Sequence, residues 1–251
     1  MQITHGNNER QKTSQEANVF YNPNTIKFIC IRHGETPANL LNLAQGSSND
    51  AYLNGLTEHG VHEVAKSAEM IHQELEEVNP ENIWIYTPQL HRTIDTAIIV
   101  AEELELLNGH FIVSNALNTK KYGKIEGMKD VKSLKTIASH PILGIQYILS
   151  ELGIEVESSG IETKQSFENR TLACMDQMLF RHKPGDVIII ACSSEHWNRF
   201  IKNKTINEYF DFDSKEKLDT GAYSSMSIKE NYIDYVNWIS EVHAKANGRE
   251  L

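Results

Sequence analysis

Cysteine is scarce in this chain of 251 residues, with three present, and proline is scarcer than average, with six. Three is an odd number, and Cys30, Cys174 and Cys192 have no metal-type spacing, which argues against a disulfide framework or a zinc site and points to a reducing compartment. No apolar run is long enough to span a bilayer. The first 25 residues, MQITHGNNERQKTSQEANVFYNPNT, lack the apolar centre of a signal peptide and read as a flexible polar arm, so the expected location is the cytoplasm. Positive charge is also in short supply. Twenty-four Lys and Arg against 34 Asp and Glu leave a formal charge of -10, which opposes nonspecific binding to nucleic acid or an anionic membrane. Any attraction for an anion must therefore come from a local pocket. There is no internal repeat or low-complexity segment.

What remains is an ordinary globular composition, 40% hydrophobic, sufficient for one large domain over 26–251, with a helical insertion expected near 130–160. Strand and helix signals alternate. Phe28 to Ile31, Ile83 to Tyr86, Phe111 to Ser114 and Val187 to Ala191 read as strands, the first and last as continuous β-branched runs buried on both faces. Val61, Val64, Ala65, Ala68, Ile71 and Leu75 recur at helical spacing, with Thr57 as N-cap and Asn79-Pro80 as the stop. Leu90, Ile94, Ala97, Ile98, Ala101 and Leu104 mark a second helix, and Thr163 to His182 a third. Val131 to Leu152 reads as mostly helical, and Ala222 to Ile228 with Tyr232 to Val236 as a closing hairpin. The expected fold is a three-layer α/β sandwich, a mostly parallel central sheet with helices on both faces.

The segment Lys27 to Asn39, KFICIRHGETPAN, carries the chemistry. A buried strand delivers Arg32 and His33 to its C-terminal edge, and Gly34 is expected to turn the chain sharply there. In open α/β sheets that edge is where ligands bind, and arginine beside imidazole suits phosphate.

Arg32-His33-Gly34-Glu35 after a first strand resembles the signature of the histidine phosphatase superfamily, the phosphoglycerate mutase-like proteins. The resemblance runs from about Lys27 to Ile228. In the family's order follow Thr36 and Asn39, Gln45-Gly46, Leu56-Thr57-Glu58-His59-Gly60, Tyr86-Thr87-Pro88 with Arg92, Gly123 with Glu126-Gly127, and Glu162 with Arg170. It implies that His33 is a nucleophile forming a phosphohistidine and that Arg32 and Arg92 clamp the phosphoryl oxygens. It implies phosphate contacts from Thr36, Asn39 and Ser194, and neither cofactor nor metal. The implied partner is a phosphorylated small molecule or phosphoprotein.

Two positions depart from the family. Counting back from Arg199 places Ser194 where the second histidine stands, and Thr119, in Leu117-Asn118-Thr119-Lys120-Lys121-Tyr122-Gly123, replaces the acidic glutamate. Glu126, Glu195 and His196 are the replacement acids to weigh, each against a plainer role in a loop or at a helix start. The expectation is a phosphomonoester phosphatase of weak turnover, or a pseudophosphatase that binds a phosphorylated partner without turnover.

Overall fold

The structure, a computed structural model, describes residues 21–47, 51–106, 110–129 and 159–229. The greater part of the expected polar arm, the helical insertion and the second arm of the closing hairpin lie outside the described residues. The elements in order are β1 (Lys27–Arg32), α1 (Pro37–Leu40), α2 (Ala51–Asn54), α3 (Glu58–Glu74), β2 (Ile83–Thr87), α4 (His91–Glu103) and β3 (Phe111–Val113). Then come α5 (Lys164–Arg181), β4 (Val187–Cys192), α6 (Ser194–Phe200), α7 (Lys204–Tyr209), β5 (Phe210–Phe212) and β6 (Tyr223–Ile228).

One mixed sheet runs β3-β2-β4-β1-β6-β5. β1, β2, β3 and β4 are mutually parallel, and β6 pairs antiparallel with both β1 and β5. The unbroken apolar run of β4 earns its central place: every residue from Val187 to Cys192 is buried, as a strand covered on both faces requires. Alternate side chains divide between two cores. On one face Phe28, Cys30, Ile188 and Ile190 meet Met175 and Met178 of α5 and Trp197 and Phe200 of α6. On the other, Ile29, Ile31, Ile85 and Ile189 meet Val64, Ala68 and Ile71 of α3 and Ala97 and Val100 of α4. The result is three layers, with Cys30 and Cys192 as core residues whose thiols are free. Val61 and Ile98, counted by spacing among the apolar positions, sit on the outer sides of their helices.

Thr57 caps α3 by accepting from the Gly60 N–H at 3.0 Å. The helix ends at Glu74, earlier than Asn79-Pro80, because the chain turns back so that the Val78 N–H reaches the Leu75 carbonyl at 2.8 Å and Val78 is buried. The described partners of β6 are β1 and β5, and β5 has no counterpart among the strands expected from pattern.

Gly34 has a different task from a sharp turn, since its φ is not positive. A Cβ on Gly34 would lie 2.2 Å from the Gly60 carbonyl oxygen, and one on Gly60 would lie 2.2 Å from the Glu35 carbonyl oxygen. The loop after β1 and the first turn of α3 thus touch backbone to backbone. Glu35 finishes this joint: its carboxylate accepts from the Thr57 hydroxyl at 2.9 Å, and its N–H donates to Glu63 at 2.9 Å.

α6 is short and held by what it buries. Inside lie Trp197, Phe200 and His196, the last fully buried against Phe167, with its Nδ1 3.0 Å from Ser193 Oγ. Burial, then Arg170 and Arg92, pushes this imidazole down to about 3, with Glu162 and the Leu117 carbonyl opposing. His196 is therefore neutral at physiological pH.

Gly60→Ala forces two backbones apart and should lower stability by about 1–3 kcal/mol, read as a fall in the thermal midpoint; an unchanged midpoint would contradict the close approach. The His196 shift has a definite sign. Between an unfolded pKa of ~6.5 and the folded value of about 3, the unfolded chain takes up a proton that the folded chain refuses. This group therefore stabilises fully above pH 6.5 and loses about 1.4 kcal/mol for each pH unit of acidification below it. His182, also depressed by burial, adds to the same loss. In urea unfolding at pH 7 and pH 5, His196→Leu should show a smaller drop in stability between the two pH values than the unaltered chain; an equal drop would refute a buried neutral imidazole.

Candidate phosphoryl site

The parallel strands bring three segments to one edge of the sheet. The order β2-β4-β1 sets the end of β4 between the loop after β1, which carries His33, and the turn after β2, which leads into Arg92. His33 extends the β1–β4 pairing by one step, its N–H donating to the Cys192 carbonyl at 3.0 Å. Its side chain is 3% exposed, and Nδ1 lies 2.9 Å from the Gly34 carbonyl. A carbonyl oxygen can only accept, so Nδ1 carries the hydrogen, and the lone pair of a neutral ring is on Nε2. That is the tautomer a nitrogen nucleophile needs.

Arg32 donates through Nη1 to the Leu218 carbonyl at 3.0 Å, while its buried Nε has no partner. Burial lowers its pKa, and Asp219, Cys192 and Glu63 oppose the shift. Arg92, in the first turn of α4, is 1% exposed. Nη2 donates to the Gly46 carbonyl at 2.8 Å, with longer contacts from Nη1 to Asn54 Oδ1 at 3.5 Å and from Nη2 to Thr119 Oγ1 at 3.4 Å. Nε is orphaned. Burial brings the guanidinium down to about 10 against the pull of Glu126, so it stays charged at neutral pH. It makes no ion pair among the described residues. A buried cation that no carboxylate contacts is costly, and the usual remedy is an anion.

Thr36 and Asn39 close a capping box on α1 and belong to a polar chain leading to Arg92. Asn39 Nδ2 donates to Gln45 Oε1 at 3.3 Å, and Gln45 Nε2 donates to Thr36 Oγ1 at 3.0 Å and to Asn54 Oδ1 at 2.6 Å. Asn54, which also meets Arg92, was not among the sequence candidates. A lone asparagine at the end of a short helix has no pattern that points to a partner 38 positions away. The Gly46 carbonyl is equally silent, because a backbone contact leaves no side-chain signature.

The mid-chain loop is pinned from two sides. Arg170 grips Glu162 through Nε at 2.8 Å and Nη2 at 2.9 Å, and donates to the carbonyls of Ala116 and Thr119 at 2.8 and 3.2 Å. Hydrogen bonds from Arg170, Lys121 and Ser166 outweigh the desolvation of Glu162 and lower its pKa. Glu126 anchors the loop from within, accepting from the N–H groups of Ser47 at 2.6 Å and Tyr122 at 3.2 Å. Thr119 is buried against Arg92. Tyr122 Oη donates to Glu195 at 3.3 Å, and burial together with that carboxylate raises the phenol's pKa. Ser194 opens α6, half-buried, directly beyond the end of β4. His196 points into the protein, hydrogen-bonded to Ser193. No group of three His, Cys, Asp or Glu side chains among the described residues could hold a metal ion, and no described helix is long and apolar enough to cross a membrane.

A family model for the histidine phosphatase superfamily (branch 1) matches residues 28–240. No curated protein matches the chain. Among solved structures it is similar to a mycobacterial glucosyl-3-phosphoglycerate phosphatase in complex with VO3, at 16% identity over 79% of this chain and 91% of that one, with a TM-score of 0.55. A phosphoglycerate mutase from Bacillus anthracis is 20% identical over 71% and 79% of the two chains, with a TM-score of 0.54. A protein described as mycobacterial hydrolase 2 is 16% identical over 81% and 82%, with a TM-score of 0.57. At these identities the structures speak for the fold alone. The family match spans most of the chain, and with the Arg-His-Gly strand end in place, the protein belongs to the histidine phosphatase superfamily.

Proposed function

We propose that this chain binds a phosphomonoester between Arg32, His33 and Arg92 and transfers its phosphoryl group to His33, with turnover held low by the residues at 119 and 194. The observation that carries the reading is Arg92, buried to 1% and without an ion pair among the described residues. A phosphate dianion supplies the contact ion pair that Arg92 lacks. The substrate is a phosphorylated small molecule or a phosphoprotein side chain, met in a reducing compartment such as the cytoplasm.

In the first step the Nε2 lone pair of His33 bonds to phosphorus as the ester P–O bond breaks, and the electron pair leaves on the ester oxygen. Arg32 and Arg92 stabilise the equatorial oxygens, with Thr36, Asn39 and Ser194 at the rim. Water then attacks phosphorus, the P–N bond breaks, and phosphate leaves with the lone pair back on Nε2. Both steps need proton management. Thr119 cannot donate a proton near neutral pH, and His196 is neutral and turned inward. Glu126 is committed to two backbone N–H groups. Glu195, half-buried beside Ser194, is the remaining one of the three candidate acids, and it accepts from Tyr122. A missing general acid costs about 10²- to 10⁴-fold, so substrates whose leaving oxygen needs no proton, aryl and acyl phosphates, should turn over best. The same two substitutions favour a second reading, a pseudophosphatase that recognises a phosphorylated partner and stops there.

Hydrolysis of an aryl phosphate and of an alkyl phosphate across pH checks the reading. Aryl turnover should exceed alkyl turnover by about 10²-fold or more, vanish in His33→Ala, and rise about tenfold or more in Ser194→His, because a preorganised donor is restored. Aryl turnover that survives His33→Ala would overturn the phosphohistidine route. Inactivity of the unaltered chain together with binding of vanadate, the ion named with the mycobacterial phosphatase, would establish the pseudophosphatase instead.

A further inference from the structure

Two stretches of backbone far apart in sequence meet at the loop that holds Arg92. The Gly127 N–H donates to the Ala44 carbonyl at 2.8 Å and the Ala44 N–H to the Met128 carbonyl at 2.9 Å, with an antiparallel bridge between Leu43 and Lys129. This pairing sets Glu126, directly after the short turn Gly123–Ile125, against Gly46 and Ser47. Glu126 Oε1 accepts from the Ser47 N–H at 2.6 Å, from the Tyr122 N–H at 3.2 Å and, more weakly, from the Ser47 hydroxyl at 3.4 Å. Nothing larger than glycine fits at 46, because a Cβ there would run into that same oxygen.

The Ser47 N–H and the Gly46 carbonyl belong to one peptide unit. Its N–H end meets the Glu126 carboxylate at 2.6 Å, and its C=O end meets the Arg92 guanidinium at 2.8 Å. Resonance across the C–N bond links the two ends, so an anion on the hydrogen and a cation on the oxygen draw electrons the same way, and each bond strengthens the other. Both bonds are charge-assisted. Of the carboxylates among the described residues, Glu126 is the one whose field opposes loss of the Arg92 proton. A carboxylate taken up by two backbone donors serves orientation better than proton transfer.

We infer that Glu126 is a positioning residue for the phosphoryl clamp: acting through the Gly46–Ser47 peptide, it fixes the guanidinium of Arg92 in the orientation that a phosphoryl group meets. The inference rests on the phosphoryl reading of His33 and Arg92 and adds what holds the clamp in place. Among the described residues, the one contact of the Arg92 guanidinium shorter than 3 Å runs from Nη2 to the Gly46 carbonyl. The orientation of the whole fork therefore depends on that carbonyl. The place of the carbonyl depends in turn on Glu126, which holds the other end of its peptide.

Calorimetric titration of the full chain with inorganic phosphate, beside nitrogen-15 NMR of the arginine guanidinium groups, tests this. Glu126→Gln keeps the shape and an acceptor for the Ser47 N–H and removes the charge. It should weaken phosphate binding about fivefold, the net worth of one hydrogen bond, and merge the two Nη resonances of Arg92, which the Gly46 carbonyl keeps distinct in the unaltered chain. A field effect alone has the opposite sign, because removing a carboxylate favours an anion. Gly46→Ala retains every charge but displaces the carboxylate, and it should weaken binding too. Glu69→Gln, an equal loss of charge at an exposed position on α3, should leave the affinity within twofold. Phosphate affinity unchanged or raised in Glu126→Gln and Gly46→Ala, or distinct Nη resonances that persist in Glu126→Gln, would overturn the inference. Absence of phosphate binding by the unaltered chain would overturn the phosphoryl reading, and the Nη resonances would still decide whether Glu126 holds Arg92.

Discussion

A buried guanidinium that makes no ion pair among the described residues sets the terms for this protein. Arg92 is sealed from solvent at the start of α4, satisfied in part by the Gly46 carbonyl and in part by long contacts to Asn54 and Thr119. Leaving an ion so incompletely paired is unfavourable, and the surrounding structure must hold it there. The polar chain from Thr36 through Gln45 to Asn54 does so from one side, and the loop fastened by Glu126 from the other. The Arg170–Glu162 fork locks the carbonyl of Thr119 itself.

Seen from this constraint, the two unusual positions have different consequences. Thr119 keeps a hydroxyl near Arg92 where a carboxylate would neutralise the guanidinium and, when protonated, serve as an acid. The threonine thus leaves Arg92 more strongly cationic toward a ligand while removing a proton source. Ser194 replaces a ring with a small donor at the start of α6. The imidazole of His196, two residues on, is spent on packing against Phe167 and on Ser193.

Much of this was legible in the residues. The continuous runs Phe28–Ile31 and Val187–Ala191 announced central parallel strands because only a doubly covered strand tolerates such uninterrupted apolarity. Arg32 and His33 could be placed because their position depends on one local element ending. Thr57 read correctly as a cap for the same reason. β5 could not be read, since three residues with one charged centre carry no usable period. Gly34 was visible as special, but the reason, contact with Gly60 and not a turn, depends on where α3 lies. Asn54 and the Gly46 carbonyl escaped because long-range polar pairing leaves no spacing in the sequence.

The protonation state of His33 is where the account is most directly exposed. Nitrogen-15 NMR of the histidine side chains, assigned with a His33→Gln variant, reads which ring nitrogen carries the hydrogen. The account predicts the Nδ1–H tautomer for His33 at neutral pH, held by the Gly34 carbonyl, with the Nε2 resonance shifting when vanadate is added. A hydrogen on Nε2, or a ring that ignores vanadate at concentrations that saturate the protein, would contradict it.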